Sequence, residues 1–224
     1  MVTNPHPKHR ECSANREIIL DAAAELLREF GYKKMTIDEL ARHAGLGKGT
    51  VYLYFQSKED VALSYIDRQN IMLQDSLKQI LQSDQPASNR LRAMLIQRVM
   101  FRFQSVQGHK QGIDDLLIDL RPQLFDRRSK YMEVEARILA EVLIEGRILG
   151  ELIVDDPFQV AEAFVDATNS LLPHSLSPTQ LGDERRLYER VSTLSDLLVR
   201  SVCRQAPTSA RDSAQKNAGE PVTN

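Results

Sequence analysis

Residues 36–58, TIDELARHAGLGKGTVYLYFQSK, decide the fold of the N-terminal part of the chain. Thr36 stands three positions before Glu39 and ahead of an apolar-periodic run, which is the capping-box pattern that begins a helix. Gly45 then falls where a helix needs a left-handed exit. A second short helix is predicted to start near Gly47. The order of helix, glycine turn and helix predicts a helix-turn-helix, the unit that reads DNA in many regulators.

The side chains of the second short helix divide into a buried and an exposed set. Val51 and Phe55 lie four positions apart, on one face, and are expected to be buried. The remaining sides present hydrogen-bond donors, one charge and two aromatic rings, carried by Lys48, Thr50, Tyr52 and Tyr54. The sequence Ser57-Lys58-Glu59-Asp60 is another capping signature, so a third helix is predicted to begin beside the second and to bring Lys58 close to it.

These side chains are assigned different roles on a DNA duplex. We expect Lys48 and Thr50, at the start of the helix, to reach base edges in the major groove, where lysine suits the acceptors of guanine. We expect Thr36, Tyr52, Tyr54 and Lys58 to contact phosphates, which fixes register without reading sequence. Partial burial of the two tyrosines in the small domain is the alternative.

The run AGLGKGTVYLYFQSKEDV, residues 44–61, resembles the end of the DNA-binding domain of the TetR (tetracycline repressor) family of bacterial regulators. Members carry a Gly-Thr-aliphatic-Tyr-x-His/Tyr-Phe core followed by a polar turn and Lys-Glu, which residues 49–59 match closely and residues 15–60 more loosely. Gly47 departs from the pattern, because the family often has there a serine that can bond a phosphate. The resemblance supports the same DNA-contacting positions.

Composition restricts the possible functions of the chain. With 224 residues and 42% apolar content it can bury a sizeable core, and its net charge of −2 argues against non-specific affinity for nucleic acid. Basic residues do cluster around the motif, namely Lys33, Lys34, Arg42, Lys48 and Lys58. A local basic patch is therefore expected, not a basic domain.

The same reasoning argues against a secreted protein or an enzyme. Cys12 and Cys203 lie near opposite ends without metal-ligand spacing, and no apolar run resembles a signal peptide or approaches the roughly 18 residues of a membrane span. We expect a cytoplasmic protein without membrane contact. No nucleophile–base pair, metal cluster or phosphate-binding glycine loop is visible, so we expect no catalytic residue, no metal and no cofactor.

The spacing of apolar residues predicts helices throughout and no strand, so the fold class is all-α. We expect a disordered arm at residues 1–14, a three-helix helix-turn-helix domain at 15–60, a helical effector-binding and dimerisation domain at 61–205 and a disordered tail at 206–224. The arm either reaches a minor groove or is simply a solvated terminus. A long helix is predicted from Lys58 to about Gln82, and another from Pro122 to Glu145 that runs out at Gly146 and Gly150.

Two features of the C-terminal part bear on function. Residues 157–172 and 184–203 predict two apolar-striped helices that form half of a four-helix dimer interface, with ordinary intramolecular core as the alternative. Arg98 and Arg102 share a stripe on a mostly apolar helix. That stripe could meet an anionic ligand, or it could cover a solvated face.

The resemblance further implies that the C-terminal domain encloses a ligand cavity, and that a ligand moves the helix from Lys58 so that two recognition helices no longer fit successive major grooves. The hypothesis is a homodimeric repressor that binds a palindromic operator in double-stranded DNA and is released by a small-molecule effector. The alternative is an effector-independent dimeric DNA-binding protein of the same fold, with an architectural or spatial-marker role. The presence of a ligand cavity would distinguish the two.

Overall fold

The structure is a computed structural model that describes residues 7–107, 116, 118–172 and 182–204. In this part of the chain there are eight α-helices and no strand, apart from an isolated bridge between Leu152 and Cys203, so the predicted all-helical fold is confirmed. The helices are α1 Pro7–Glu29, α2 Ile37–His43, α3 Lys48–Tyr54, α4 Lys58–Leu81, α5 Ala87–Gln107, α6 Arg121–Ile148, α7 Pro157–Asn169 and α8 Glu184–Val202.

Helix α1 begins earlier than the sequence suggested. Residues 7–14 were assigned to a disordered arm, but their backbone continues the helix that was predicted to start at Asn15. Pro7 can occupy the first position of a helix because the N–H that it lacks has no partner there, and neither glycine nor proline follows it within α1. Residues 1–6 and the predicted tail at 206–224 lie outside the described residues.

An N-terminal core joins α1, α2, α3 and the first turns of α4. Val51 and Phe55 are both buried in this core, as their spacing predicted, with 0% and 2% of their surface exposed. Leu116 and Leu120, from the segment just before α6, belong to the same core. The helix-turn-helix is therefore packed directly against a part of the C-terminal region.

The C-terminal helices pack around α5, which contacts α4, α6, α7 and α8. Helix α6 runs past Gly146, where the sequence predicted its end, and stops at Ile148. Gly146 is buried, and a Cβ atom there would come within 2.5 Å of the Leu152 side chain and 2.7 Å of Ala87. The glycine therefore permits close packing inside the helix, while Gly150, with a φ of 73°, provides the left-handed exit.

Helix α4 connects the two regions over a length of about 36 Å, given 1.5 Å per residue. Two consecutive residues near the middle of α4 form hydrogen bonds with different helices. Asp67 accepts hydrogen bonds from Arg127 and Tyr131 of α6. Arg68 donates to Asp21 of α1 at 2.7 Å and also to Glu17. Through these two residues α4 is bonded both to α6 and to α1 of the helix-turn-helix domain.

Candidate nucleic-acid interface and ligand cavity

The first helix of the motif begins with the predicted capping box. The Thr36 hydroxyl accepts a hydrogen bond from the Glu39 backbone N–H at 3.2 Å, and the Glu39 carboxylate accepts one from the Thr36 N–H at 3.2 Å. Helix α2 ends at His43, and Gly45, with a φ of 66°, provides the left-handed turn after it. These local contacts fix the angle at which α3 leaves the turn, and they leave Thr36 exposed at the surface.

The outer face of α3 is formed by residues that the fold does not use. Leu53 is 81% exposed and Tyr52 50% exposed, while Lys48 and Gly49 are also exposed. With 100° per residue, Gly49 and Leu53 lie opposite buried Val51 and form the outermost line of the helix. A Cβ atom at Gly49 would meet nothing within 4 Å, so no packing within the chain requires glycine there.

Lys48 is paired with an acidic residue of α2. Its Nζ lies 3.0 Å from both carboxylate oxygens of Asp38, and both side chains are largely exposed. The hydrogen bond and the charge of Asp38 raise the pKa of Lys48, so the ammonium stays protonated. The contact brings the start of α3 beside the first turn of α2, where Thr36 lies.

The two tyrosines of α3 differ in their environments. Tyr52 is exposed, whereas Tyr54 is half-buried against the N-terminal core and accepts a hydrogen bond from Asn15 of α1 at 3.4 Å. The alternative of partial burial thus applies to Tyr54 and not to Tyr52. Thr50 is also half-buried, on the flank of the helix. Contact of all three with DNA stays a prediction.

Lys58 lies at the start of α4 and is held by the loop after α1. Its ammonium is 4.5 Å from the centre of the Tyr32 ring and 3.4 Å from the Tyr32 carbonyl oxygen. The Tyr32 hydroxyl donates to Glu59 at 3.1 Å. Burial and the Glu59 charge raise the pKa of Tyr32 above its usual range, so the hydroxyl keeps its proton. The predicted phosphate contact by Lys58 would therefore use a side chain that is already oriented.

In the C-terminal region, the expectation that the arginine stripe covers a solvated face is wrong. Arg98 is 1% exposed, and its Nε donates to Glu135 of α6 at 2.7 Å. Its guanidinium also contacts the Thr168 hydroxyl of α7. Arg102, one turn further along α5, donates to the same Glu135 carboxylate at 2.5 Å. Two arginines on adjacent turns therefore share one fully buried carboxylate.

Burial and the neighbouring charges shift the pKa values of both Glu135 and Arg98. Burial alone would raise the pKa of Glu135, but the charges of Arg102 and Arg98 outweigh it and hold that pKa below its usual range. Burial lowers the pKa of Arg98, the Glu135 charge opposes that shift, and the like charge of Arg102 adds to it. One carboxylate thus faces two guanidinium groups.

Two adjacent cavities lie between α4 and α5, one of them also bounded by α6, and Ile66, Asn70 and Arg102 line both. We name them the large cavity, of about 220 Å³, and the small cavity, of about 100 Å³. The other described residues that line the large cavity are Arg121, Leu124, Phe125, Arg128, Tyr131, Met132, Asn169 and Leu172. The small cavity is otherwise lined by Tyr65, Gln69, Leu73, Phe101, Ser105, Val106 and Leu116.

The sequence reasoning found only one of the cavity arginines. Arg102 lines both cavities, whereas Arg98 lines neither and instead holds Glu135. Arg121 and Arg128 were missed. Their signal is the i, i+3, i+4, i+7 spacing of Arg121, Leu124, Phe125 and Arg128, which places two cations and two apolar side chains on one face of α6.

Helices α7 and α8 bury one stripe in their own chain and leave apolar side chains outside it. On α8, Leu187, Val191 and Val199 are buried, so the intramolecular alternative accounts for this stripe. Leu197, in contrast, is 61% exposed, and Phe158 on α7 is 53% exposed. An apolar surface therefore remains on both helices.

Two further observations concern the described residues as a whole. They contain no group of three or more histidine, cysteine, aspartate or glutamate residues arranged to hold a metal ion. None of their helices combines the length and the apolar character that crossing a membrane requires.

A three-helix unit whose third helix, α3, is short and exposed has the arrangement of a helix-turn-helix DNA-binding domain. Residues 19–65 match the family model described as bacterial regulatory proteins, tetR family. The N-terminal region therefore carries the DNA-binding domain of this family, and the curated relatives of the chain are transcriptional regulators and not enzymes.

The chain is similar in sequence to curated regulators and in fold to solved structures, over different shares of its length. The fatty acid metabolism regulator protein of Bacillus subtilis (strain 168) is 28% identical over 137 residues, which cover 60% of this chain and 69% of that protein. The HTH-type transcriptional repressor BepR of Brucella suis is 33% identical over 76 residues, or 34% of this chain and 36% of BepR. A transcriptional regulator from Cytophaga hutchinsonii has the same fold, with a TM-score of 0.72 and 20% identity over 84% of this chain and 98% of that one.

Proposed function

We propose that the protein is a ligand-responsive homodimeric repressor, which binds a palindromic operator and is released from it by a small molecule. One observation carries the proposal: the large cavity is bounded by α4, the same helix that is tied to the helix-turn-helix domain through Arg68. Ligand binding and DNA binding can be coupled through a shared helix, because a ligand that prefers one position of that helix raises the population of that position.

In this proposal, α3 enters the major groove with its outer face. Lys48 and Thr50 read base edges, and Thr36, Tyr52, Tyr54 and Lys58 hold phosphates. Exposed Leu53 adds an apolar contact that suits the methyl group of thymine. Gly49 leaves room for the duplex to approach the helix backbone, which explains a glycine that no packing in the chain requires.

Release follows from the position of the cavity. A ligand that binds between α4 and α6 acts on the helix whose Asp67 holds α6 and whose Arg68 holds α1. Two α3 helices fit successive major grooves when they are one turn of DNA apart, about 34–36 Å. If the ligand-bound position of α4 changes that distance, DNA affinity falls by the coupling free energy.

The dimer in this proposal forms through residues 157–172 and 184–203. The exposed Phe158 and Leu197 lie on these two helices, with the small Ala163 also exposed on α7. Four helices, two from each protomer, would cover these side chains and set the distance between the α3 helices.

The DNA-reading roles are tested by two lysine variants. Lys48→Ala is expected to relax discrimination at one base position in each half-site, since it removes a base contact. Lys58→Ala is expected to weaken binding to all sequences alike and to reduce the salt slope of log K by about 0.9, the value for one phosphate contact. Gel shifts on a selected operator and on scrambled duplexes, across a salt series, measure both effects. Identical behaviour of the two variants would contradict the assignment.

The effector-independent alternative predicts a different result in a ligand screen. A small molecule that both raises the melting temperature of the protein and releases the operator supports the ligand-responsive repressor. If compounds bind in the cavity but none changes operator affinity, the cavity is not coupled to DNA and the architectural role is favoured.

A further inference from the structure

The described lining of the large cavity carries positive charge without a matching negative charge. Arg102, Arg121 and Arg128 line it, and none of its described lining residues is acidic. Glu135, the nearby carboxylate, is already shared by Arg98 and Arg102. Within the described residues, Arg121 and Arg128 form no ion pair. Arg121 is exposed to solvent, but Arg128 is half-buried. Half-buried cations usually have a partner, so the missing counter-charge of Arg128 points to a ligand.

An unused hydrogen-bond donor lies at the same cavity. The Asn169 side chain lines it, and its Nδ2 is buried without a partner among the described atoms. The Oδ1 of this amide accepts a hydrogen bond from Arg98 at 3.4 Å, which fixes the orientation of the amide. Unpaired buried donors are costly, so the free N–H₂ group is explained by an acceptor that belongs to a bound molecule.

Most of the remaining lining is apolar, and the polar groups of Asn70 and Tyr131 are already bonded to the Ile66 carbonyl and to Asp67. The apolar lining residues are Ile66 of α4, Leu124 and Met132 of α6 and Leu172 after α7. The small cavity continues this surface with Leu73 of α4 and Phe101 of α5. A ligand therefore meets cations and one amide donor on one side and aliphatic or aromatic carbon on the others, which is the usual pattern of a small-molecule pocket.

We propose that the cavity binds an organic anion with an apolar body, whose carboxylate or phosphate head lies against Arg102, Arg128 and Asn169 and whose tail lies against Ile66 and Met132. The inference rests on the proposed ligand-responsive function and names the chemical class of its effector. The tail contacts α4 directly, so occupation of the cavity acts on the helix that carries the signal.

The head-group requirement is tested by titration calorimetry of the full chain with ligands that share one tail. Decanoate and decyl phosphate carry the two anionic heads, while decanol is neutral and decylamine is cationic. We expect at least one of the two anions to bind at least tenfold more tightly than decanol, because charge-assisted hydrogen bonds are the strong ones. The ratio between the two anions then identifies the head as carboxylate or phosphate. Equal binding of decanol, or tighter binding of decylamine, would overturn the proposal.

Three variants assign the binding to this cavity. Arg128→Gln is expected to weaken binding of the preferred anion by tenfold or more, through loss of a charged partner. Asn169→Asp keeps an acceptor for Arg98 but replaces the unused donor with a negative oxygen, so it is expected to abolish anion binding in a folded protein. Arg137→Gln is the matched control, since Arg137 lies on the same helix, is exposed and pairs with Glu133.

The circular dichroism spectrum and melting temperature of each variant establish that it is folded. Unchanged binding in both folded cavity variants, or an equal loss in Arg137→Gln, would refute the assignment. Operator release, measured in parallel, separates this inference from the proposed function. Anions that bind in the cavity without releasing DNA refute the ligand-responsive repressor and leave the ligand class intact. A neutral effector that releases DNA refutes the proposed ligand class and leaves the ligand-responsive repressor intact.

Discussion

In the DNA-free protein, the Lys48 ammonium is paired with Asp38 at 3.0 Å. The same ammonium is the one that we expect to read a guanine, so the acid on α2 competes with the base edge for it. Asp38 itself lies at the surface that faces the DNA phosphates in our proposal, where a negative charge is unfavourable. We therefore expect this pair to weaken DNA binding while it orients the lysine.

Asp38→Asn is predicted to tighten operator binding several-fold at low salt, because it frees Lys48 and removes one negative charge beside the phosphates. Fluorescence anisotropy with a labelled operator at several salt concentrations measures the change, which should shrink as salt rises. Asp75→Asn is the control, since Asp75 also pairs with a lysine, Lys78, at 3.0 Å, but near the C-terminal end of α4. If both variants change affinity equally, the effect is one of net charge and not of the Lys48 pair.

Among the helices, α7 and α8 carry exposed apolar side chains that do not pack within the chain. Leu197 is 61% exposed on α8, outside the stripe that packs within the chain. Leu197→Glu is predicted to dissociate the dimer, because it places a charge in an apolar interface. Light scattering during size exclusion should give twice the 25.4 kDa chain mass for the parent and the single mass for the variant at micromolar concentration.

A matched control tests whether any exposed apolar-to-charged change has this effect. Ile71 on α4 is 56% exposed and lies outside both helices, so Ile71→Glu should leave the mass unchanged. A dimeric Leu197→Glu protein with normal melting temperature would place the interface elsewhere.

The elements also show which parts of the structure were predictable. The caps, the glycine turn and the spacing of Val51 and Phe55 are local signals, and the structure follows them. The run of α6 through Gly146 was not predictable, because the reason is contact with Ala87 and Leu152, which only the tertiary fold supplies. The burial of Arg98 was missed for the same reason, since its partners lie on α6 and α7, far away in sequence.

For the whole molecule, the cluster of Arg98, Arg102, Glu135 and Thr168 ties α5, α6 and α7 together. Removing the shared carboxylate would leave two buried or half-buried cations without their partner, which typically costs about 3–5 kcal/mol. The pKa of Glu135 is held below its usual range in the folded protein. Its contribution to stability is therefore present above the ordinary glutamate pKa and is lost as the pH falls through the lowered, folded value.

Glu135→Gln is predicted to lower the free energy of unfolding at pH 7 by about 3 kcal/mol, with a smaller difference from the parent at acidic pH as the parent loses the same charge. Urea unfolding followed by circular dichroism at pH 7 and near pH 3 measures both values. Glu133→Gln is the control, because Glu133 lies two residues away in an exposed pair with Arg137. A constant difference between parent and Glu135→Gln across this pH range would contradict the charged state of the cluster.

The open space around Gly49 has a practical consequence. Since a side chain there would touch nothing in its own chain, a cysteine at this position could carry a spin label without disturbing the packing of α3. Cys203 is half-buried and burial raises the pKa of its thiol, so it reacts slowly, and Cys12 can be replaced by serine. One label on each protomer would then report the distance between the two α3 helices directly, with and without ligand, in protein that is not bound to DNA.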